Sequence, residues 1–556
     1  MKINEITGRS AFLALLKEEG VTHLFGNPGT TELPIMHALA EHPDLTYVLG
    51  LQEALVVAMA DGFSRASGEL TACNVHVAPG LGNAMGSIFN AKFTNTPMII
   101  TAGQQEQGHG LTEPLLYDSL VPMAAPLVKW AVEITRLEDM PRIVHRAAKI
   151  AMTPPTGPVF ISLPGDILNS EVGMELGNRT RIDAASRPSD EALGRLADRL
   201  LSAKSPAIIS GNEVVKSDAL DQVALLAETL GAPAYQQTIP YGSHFPSEHP
   251  AYMGALTRVQ KQVRGELEPY DLLVVVGADV LRMSVWSETD PMPAELPIVQ
   301  IGLDDWEMGK NYPTEMAVRS DVRETLKALI PVLKSKGGDA AAASARQRIA
   351  GLEGRNWFAK RAARREAAEK LSAATPIAPD WLMMQIVDCL PENAMVVNES
   401  LTTGWGLQDM LPYRDRYSFH ANASGGIGWA IAASIGIQLA QPDRPLVSII
   451  GDGSAMYSIQ ALWTAARMKL PINFVIANNG GYRIIKQRLL AFHGSDHYIG
   501  MDFDDPAIDF VGLAQSMGVP AQRITSPDEI RPALDGALSS AGPVLLDVVV
   551  DGSVSH

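Results

Sequence analysis

The chain has 556 residues, 46% of them hydrophobic and 19% charged, which allows three or four domains with sizeable buried cores. Its net charge of −17, from 45 basic and 62 acidic residues, argues against nucleic acid as a main partner. No uncharged apolar run is long enough to span a bilayer, so no membrane partner is expected.

The N-terminal twenty residues lack a signal-peptide apolar core and read as an amphipathic helix. Short β-branched or apolar runs then recur, each bounded by Gly, Pro or Asn. They fall at residues 71–77, 98–102, 159–163, 207–209, 272–277, 298–301, 394–397, 446–450, 472–477 and 544–550. Stretches of helical length separate them. Continuous apolar strands with helical crossovers predict α/β architecture, with doubly wound parallel sheets covered on both faces. The apolar stretch 429–440 is too short for a membrane span and predicts a buried helix. Cys73 and Cys389 each lie in an apolar run and read as buried free thiols of a reducing cytoplasm.

Three blocks follow, at residues 1–170, 189–333 and 380–556, with a linker at 334–379. Residues 157–163 (GPVFISL) are echoed by 542–548 (GPVLLDV), which predicts one topology for the first and last blocks. Residues 171–188 are polar and irregular, and 343–373 read as a solvated helix. The middle block has Gly277-Ala278-Asp279 after a strand but no GxGxxG, so it reads as a spacer rather than a dinucleotide site.

Gly451-Asp452-Gly453, with Asn478-Asn479-Gly480-Gly481 after the next strand, carries the most chemistry. An Asp and an Asn at the ends of adjacent parallel strands can hold one hard cation with oxygens. Glycines let the backbone approach a charged ligand closely. A metal-bridged diphosphate suits that arrangement. Glu53 lies in the apolar run LQEALVVAMADG, where a carboxylate needs a partner or a proton.

These motifs resemble the thiamine diphosphate (ThDP)-dependent 2-oxo-acid decarboxylase and acetolactate synthase superfamily, nearest to its benzoylformate decarboxylase branch. Residues 26–34 (GNPGTTELP), 51–54 (LQEA), His76 before 79–86 (PGLGNAMG), 101–105 (TAGQQ), 398–400 (NES) and 461–466 (ALWTAA) carry the likeness. It implies an N-terminal pyrimidine-binding domain, a middle domain and a C-terminal diphosphate-binding domain. It also implies a cytoplasmic homodimer or homotetramer, with the active site shared between subunits.

The resemblance implies a role for each matching residue. Glu53 activates the cofactor through its aminopyrimidine nitrogen. Asp452, Asn479 and the carbonyl of Gly481 bind Mg²⁺, with Asn478 as the adjacent alternative. Gly453 and Ser454 open a helix whose N–H groups suit a phosphate, and Thr402 is a second diphosphate contact or a plain helix cap. Gly425 and Ile427 shape the bent cofactor, and Asn83 and Tyr482 flank it. His76 transfers a proton to or from the bound substrate. Thr30 binds the substrate carboxylate, and Gln104, Ile484 and Ile485 line the pocket. Gln104 could equally be bonded to backbone.

The implied reaction is decarboxylation of a 2-oxo acid to an aldehyde, through a C2 adduct and an enamine. Alternatives are a carboligase like acetolactate synthase or benzaldehyde lyase, or a 2-hydroxyacyl-CoA lyase if Arg483 and Lys486 receive an anionic tail. One departure stands out. Ser284 occupies the position of a second catalytic His of the family, and serine does not shuttle protons near neutral pH. His109 or Glu113 is the expected substitute.

Overall fold

A computed structural model describes residues 5–554. It contains three six-stranded sheets in which every neighbouring pair is parallel. The first sheet has, in chain order, His23–Gly26, Thr46–Leu49, Thr71–Val75, Met98–Gln104, Ala131–Glu133 and Pro158–Pro164. In space these lie in the order 2-1-3-4-6-5. The last sheet has Met395–Glu399, Phe419–Ala421, Leu446–Gly451, Ile472–Asn478, Ala521–Ile524 and Val544–Val549, in the same spatial order. The echo between residues 157–163 and 542–548 thus falls on equivalent strands of two sheets with one wiring. The middle sheet differs, running 3-2-1-4-5-6. Its central strands, Pro206–Ser210, Leu272–Val276 and Ile298–Gly302, are buried throughout.

All ten apolar runs form strands, offset by one or two residues at their ends. The sequence pattern passes over the edge strands, because Ala131–Glu133 and Phe419–Ala421 are three residues long and carry no extended apolar run. Residues 171–188 are not wholly irregular. Glu171–Gly173 pairs antiparallel with Glu5–Thr7, a strand that precedes the expected first helix, Gly8–Glu18. The helical reading of 343–373 splits in two. Val322–Ala350 runs on from the middle sheet, with a break at Gly338 (φ 58°), and Trp357–Glu369 follows after a turn. Cys73 is fully buried, but Cys389 is only half-buried, since it ends its helix.

The first and last lobes meet through two helices, Glu53–Ser67 and Ala430–Ala440. A Cβ on Gly436 would lie 1.9 Å from the carbonyl oxygen of Met59, and one on Gly62 would lie 2.2 Å from that of Ala433. Only glycines allow backbones to approach this closely. Buried Asp61 accepts a hydrogen bond across the seam from Trp429 Nε1 (2.6 Å) and one within its own lobe from Asn90 Nδ2 (3.1 Å).

Candidate active site

In doubly wound sheets, ligands bind where the strand order reverses, outside the carboxyl ends of the strands. The first sheet reverses between His23–Gly26 and Thr71–Val75, whose ends carry the loop 27–32 and His76. The last reverses between Met395–Glu399 and Leu446–Gly451, whose ends carry Ser400–Gly404 and Asp452. Topology therefore builds a crevice on each outer lobe, while the middle sheet has its own reversal between Pro206–Ser210 and Leu272–Val276.

The crevice of the last lobe is lined by oxygens. The carboxylate of Asp452 is buried, and it accepts the N–H of Gly453 (2.8 Å) and of Gly481 (3.0 Å). Burial pushes its pKa up to about 6, against these hydrogen bonds. Asn478 is tied into the fold: its amide donates to Asp547 (2.9 Å) and its carbonyl accepts the N–H of Gly480 (3.2 Å). The Oδ1 atom of Asn479 is buried with no hydrogen-bond partner. The carbonyl of Gly481 accepts the N–H of Arg483 (3.0 Å), which leaves one lone pair. An orphaned amide oxygen beside a buried carboxylate is the donor chemistry of a hard divalent cation. These residues fit Mg²⁺ and a diphosphate.

The helix opened by Gly453 and Ser454 is a single turn, Asp452–Ala455. Gly453 is demanded by Tyr482, whose ring would lie 2.7 Å from an added Cβ. Tyr482 in turn packs edge-on against Phe503, at 4.8 Å between centroids. Thr402 is buried at the strand end, and its neighbour Thr403 has a buried, unpaired hydroxyl. Gly425 (φ 82°) and Gly428 (φ 94°) bracket half-buried Ile427.

Glu399, in the 398–400 motif, organises backbone. Its buried carboxylate accepts the N–H groups of Gly428 (2.8 Å), Trp429 (3.3 Å) and Ala430 (2.7 Å), and the Asn422 amide (2.8 Å). It holds the Ile427 turn onto the start of the Ala430–Ala440 helix.

The crevice of the first lobe holds proton-transfer groups. Glu53 opens its helix behind Gln52, whose side chain accepts the N–H of Ala54 (2.6 Å). Its carboxylate is largely buried, and Asn83 Nδ2 donates to its Oε2 (3.1 Å). Gly80 lies against Glu53, where a Cβ would come within 2.9 Å of Oε1.

The structure gives His76 a partner that sequence reasoning missed. Nδ1 of His76 lies 2.7 Å from Oε2 of Glu32, which has no solvent exposure. Glu32 also accepts the N–H groups of Gly29 (2.8 Å) and Gly103 (2.9 Å) and the Thr31 hydroxyl (2.8 Å). Gly29-x-x-Glu32 has the spacing at which a Glu reaches back to a helix-start N–H, but Gly29 has no side chain to complete a capping box, so the sequence carries only half of that signal. The residue after His76, Val77, is buried with φ 40°, a strained value for a β-branched side chain. That kink ends the strand at Val75, two residues before the sequence reading, and turns His76 into the start of the next helix.

Other expected residues lie elsewhere. Thr30 is exposed in the same loop, and it is Thr31 that reaches His76, at 3.2 Å. Gln104 is buried and spent on backbone, donating to Asp118 O (2.8 Å) and accepting from Gln105 N (2.8 Å). That favours the backbone alternative over a pocket wall. His109 and Glu113 sit exposed on the following loop, and Ser284 is exposed in a loop of the middle lobe. Ile484 is half-buried and Ile485 exposed. Arg483 donates to the carbonyl of Ser553 (3.1 Å), and Lys486 is buried in an ion pair with Asp502. The two cations are therefore engaged within the chain and do not form a free basic face.

Two reversal crevices, one with oxygen ligands and one with a buried carboxylate and an imidazole, define a three-domain enzyme built around an activated diphosphate cofactor. Comparison with known proteins agrees. The thiamine pyrophosphate enzyme descriptions match residues 6–115 (N-terminal TPP binding domain), 193–329 (central domain) and 401–548 (C-terminal TPP binding domain). The chain is 33% identical over 546 residues to a benzoylformate decarboxylase of Pseudomonas aeruginosa, covering 98% of each. It is 29% identical to a putative acetolactate synthase large subunit of Mycobacterium tuberculosis, covering 99% of this chain and all of that one. A thiamine diphosphate-dependent 4-hydroxybenzoylformate decarboxylase of Rhodococcus jostii superposes with a TM-score of 0.88 at 31% identity, covering 99% and 100% of the two chains. The chain belongs to the thiamine pyrophosphate enzyme family. It is a ThDP-dependent enzyme of the 2-oxo-acid decarboxylase and carboligase type.

Proposed function

We propose that this enzyme is a Mg²⁺-requiring lyase that decarboxylates an aryl 2-oxo acid of the benzoylformate kind to an aldehyde. The observation that carries the reading is the orphaned Oδ1 of Asn479 beside the buried Asp452 carboxylate, in a chain whose first lobe presents Glu53 and His76 at its own crevice. Aryl 2-oxo acids are favoured because two relatives of full-length coverage bear such names.

Asp452, Asn479 and the Gly481 carbonyl would hold the metal, with Gly453, Ser454 and Thr402 against the diphosphate. Bound ThDP supplies a carbanion nucleophile and a sink for the electrons left by CO₂. Glu53, steadied by Asn83, would face the aminopyrimidine ring and exchange a proton with it. Ile427 would pack against the bound cofactor, and Glu399 fixes the turn carrying Ile427. Glu32 fixes His76 through Nδ1, so Nε2 is the atom left to exchange a proton with the substrate. The Thr30 hydroxyl receives the substrate carboxylate. Ser284, His109 and Glu113 stay exposed in the single chain. A subunit partner covering the loop 107–117 would bring them into play, and the near-complete exposure of Leu111 (96%) and Leu115 (84%) supports such a partner. We take the lobes as 1–170, 189–333 and 380–556, joined by 334–379, in a cytoplasmic homodimer or homotetramer.

Carboligation is the second reading, supported by the acetolactate synthase relative and by Ser284 in place of an imidazole. An acyl-CoA lyase has less support, since Lys486 is ion-paired with Asp502 and Arg483 donates to the carbonyl of Ser553. The deciding experiment measures CO₂, aldehyde and 2-hydroxyketone across a panel of aryl and alkyl 2-oxo acids. Aldehyde equal to CO₂ with aryl acids supports the lyase. Hydroxyketone as the main product from pyruvate sinks it.

A further inference from the structure

All three lobes meet around a cavity of about 280 Å³ that lies apart from both crevices. The first lobe contributes Met152, the middle lobe Val215 and Lys216, and the last lobe Arg416, Phe419 and His420. The wall is mostly apolar, and it carries two cations without a direct ion-pair partner among the described residues, although Glu213, Asp304 and Asp61 act on Lys216 through space. Lys216 Nζ donates to the carbonyl of Asn95 (2.8 Å) and the hydroxyl of Thr156 (3.2 Å), and it has no carboxylate within ion-pair distance among the described residues. Arg416 donates to the Tyr417 hydroxyl (2.6 Å) and likewise has no acidic partner among the described residues. The buried Arg65 behind them is balanced by Asp61, at 3.9 Å, and by the carbonyls of Tyr241 and Ala421.

Two carboxylates also reach this wall, and each is already engaged. Glu213 accepts the N–H groups of Leu303 (2.6 Å) and Asp304 (3.1 Å), and burial raises its pKa to about 7, so its charge is reduced near neutrality. Asp321 caps the next helix through Glu324 N (2.8 Å) and accepts the Ser217 hydroxyl (2.9 Å). Crowding by the surrounding protein lowers Lys216, whose side chain stays exposed at the rim of the cavity, to about 8, which leaves it mostly protonated at neutral pH. His420 is buried at 3% exposure, with Nε2 unpaired. A buried unpaired ring nitrogen costs free energy unless a partner arrives.

We propose that this junction is a binding site for a small organic monocarboxylate, its head between Lys216 and Arg416, its apolar body against Phe419, Val215 and Met152, and a polar atom within reach of His420 Nε2. A molecule seated here touches all three lobes at once. It would therefore tie the middle lobe to the two lobes that carry the crevices, without entering either crevice. The inference rests on the cavity alone and does not depend on which 2-oxo acid the enzyme uses.

The test is calorimetric titration of the full-length, ThDP- and Mg²⁺-loaded protein with benzoate, and separately with inorganic phosphate. The expected result is a benzoate site that Lys216→Met weakens at least tenfold and Lys216→Arg restores, with turnover at saturating substrate unchanged. Val215→Trp, which fills the cavity without removing a charge, should abolish the same site and gives an independent reading if Lys216→Met fails to fold. Benzoate binding that is identical in the parent, Lys216→Met and Val215→Trp proteins overturns the proposal. So does tighter binding of phosphate than of benzoate, because the apolar wall would then contribute nothing.

Discussion

The imidazole of His76 is held at Nδ1 by Glu32, 2.7 Å away, and the glycine before that loop's turn leaves no room for it to move. A Cβ on Gly29 would stand 2.2 Å from the ring. Carboxylate, imidazole and glycine thus form one positioned unit on the first lobe.

Replacing Glu32 by Gln should lower kcat by roughly tenfold to a hundredfold, since a held proton-transfer group contributes on the order of 10²–10⁴. ThDP affinity should stay within about twofold, because Glu32 belongs to the imidazole and not to the diphosphate cradle. Gly29→Ala should give the same split by displacing the ring. Steady-state kinetics beside ThDP titration reads both. A Glu32→Gln protein with full turnover would remove His76 positioning from the mechanism.

Glu53→Gln should abolish turnover and weaken ThDP binding. Asn83→Ala removes only the amide that steadies Glu53 Oε2, so it should leave measurable activity. Cofactor titration monitored by circular dichroism, with turnover on the same samples, separates the two effects.

The two adjacent asparagines should behave differently. Asn479→Ala removes the unpaired oxygen and should raise the Mg²⁺ concentration needed for activity by at least tenfold. Asn478→Ala instead leaves the buried Asp547 carboxylate without its 2.9 Å partner. It should cost about 1–3 kcal/mol of stability with little change in metal requirement at low temperature. Equal metal dependence in both variants would reverse the assignment of ligands.

Two glycines should respond to alanine with opposite signs. Gly436→Ala drives a Cβ to 1.9 Å from Met59 O at the seam between lobes, and should cost about 3 kcal/mol or more. Gly536 lies in the helix Ile530–Leu538 with open space around its Cβ position. Gly536→Ala should therefore stabilise by up to about 1 kcal/mol through helix propensity. Thermal melts of the holoenzyme read both.

His244 is fully buried, with both ring nitrogens unpaired, and burial lowers its pKa to about 3. The unfolded chain takes up a proton near the ordinary histidine value of 6.5, but the folded chain does not. Stability carried by the neutral ring is thus fully present above about pH 6.5 and is lost progressively as pH falls toward 3. The loss should reach about 2 kcal/mol at pH 5. Glu213 and Asp279, raised by burial to about 7 and about 6, act in the opposite direction over part of this range. The quantity to compare is therefore the pH slope of stability in the parent against His244→Phe. A flatter acid limb in the variant is expected, and identical slopes would refute the assignment.

Much of the fold was readable because its central strands are long, apolar and flanked by breakers, as at Leu446–Gly451 and Ile472–Asn478. The edge strands were not, since three-residue segments such as Phe419–Ala421 leave no periodic signal. The oxygen-lined crevice proposed for the metal is legible because Asp452 and Asn479 follow adjacent strands at motif spacing. Glu32 and Glu399 escaped notice for a physical reason. Each is a carboxylate whose work is done on backbone N–H groups brought together only by the fold, and one-dimensional spacing does not show which amides will converge. Gln104 stays open between pocket wall and backbone partner in the sequence, because an amide in an apolar strand does not show its partners until the loop that satisfies it is in place.

The shared 2-1-3-4-6-5 wiring of the outer lobes sets one hollow twice within a single chain. The twins are furnished differently, with a carboxylate-held imidazole in one and an orphaned amide oxygen beside a carboxylate in the other. The centre lobe, wired in another order, repeats neither.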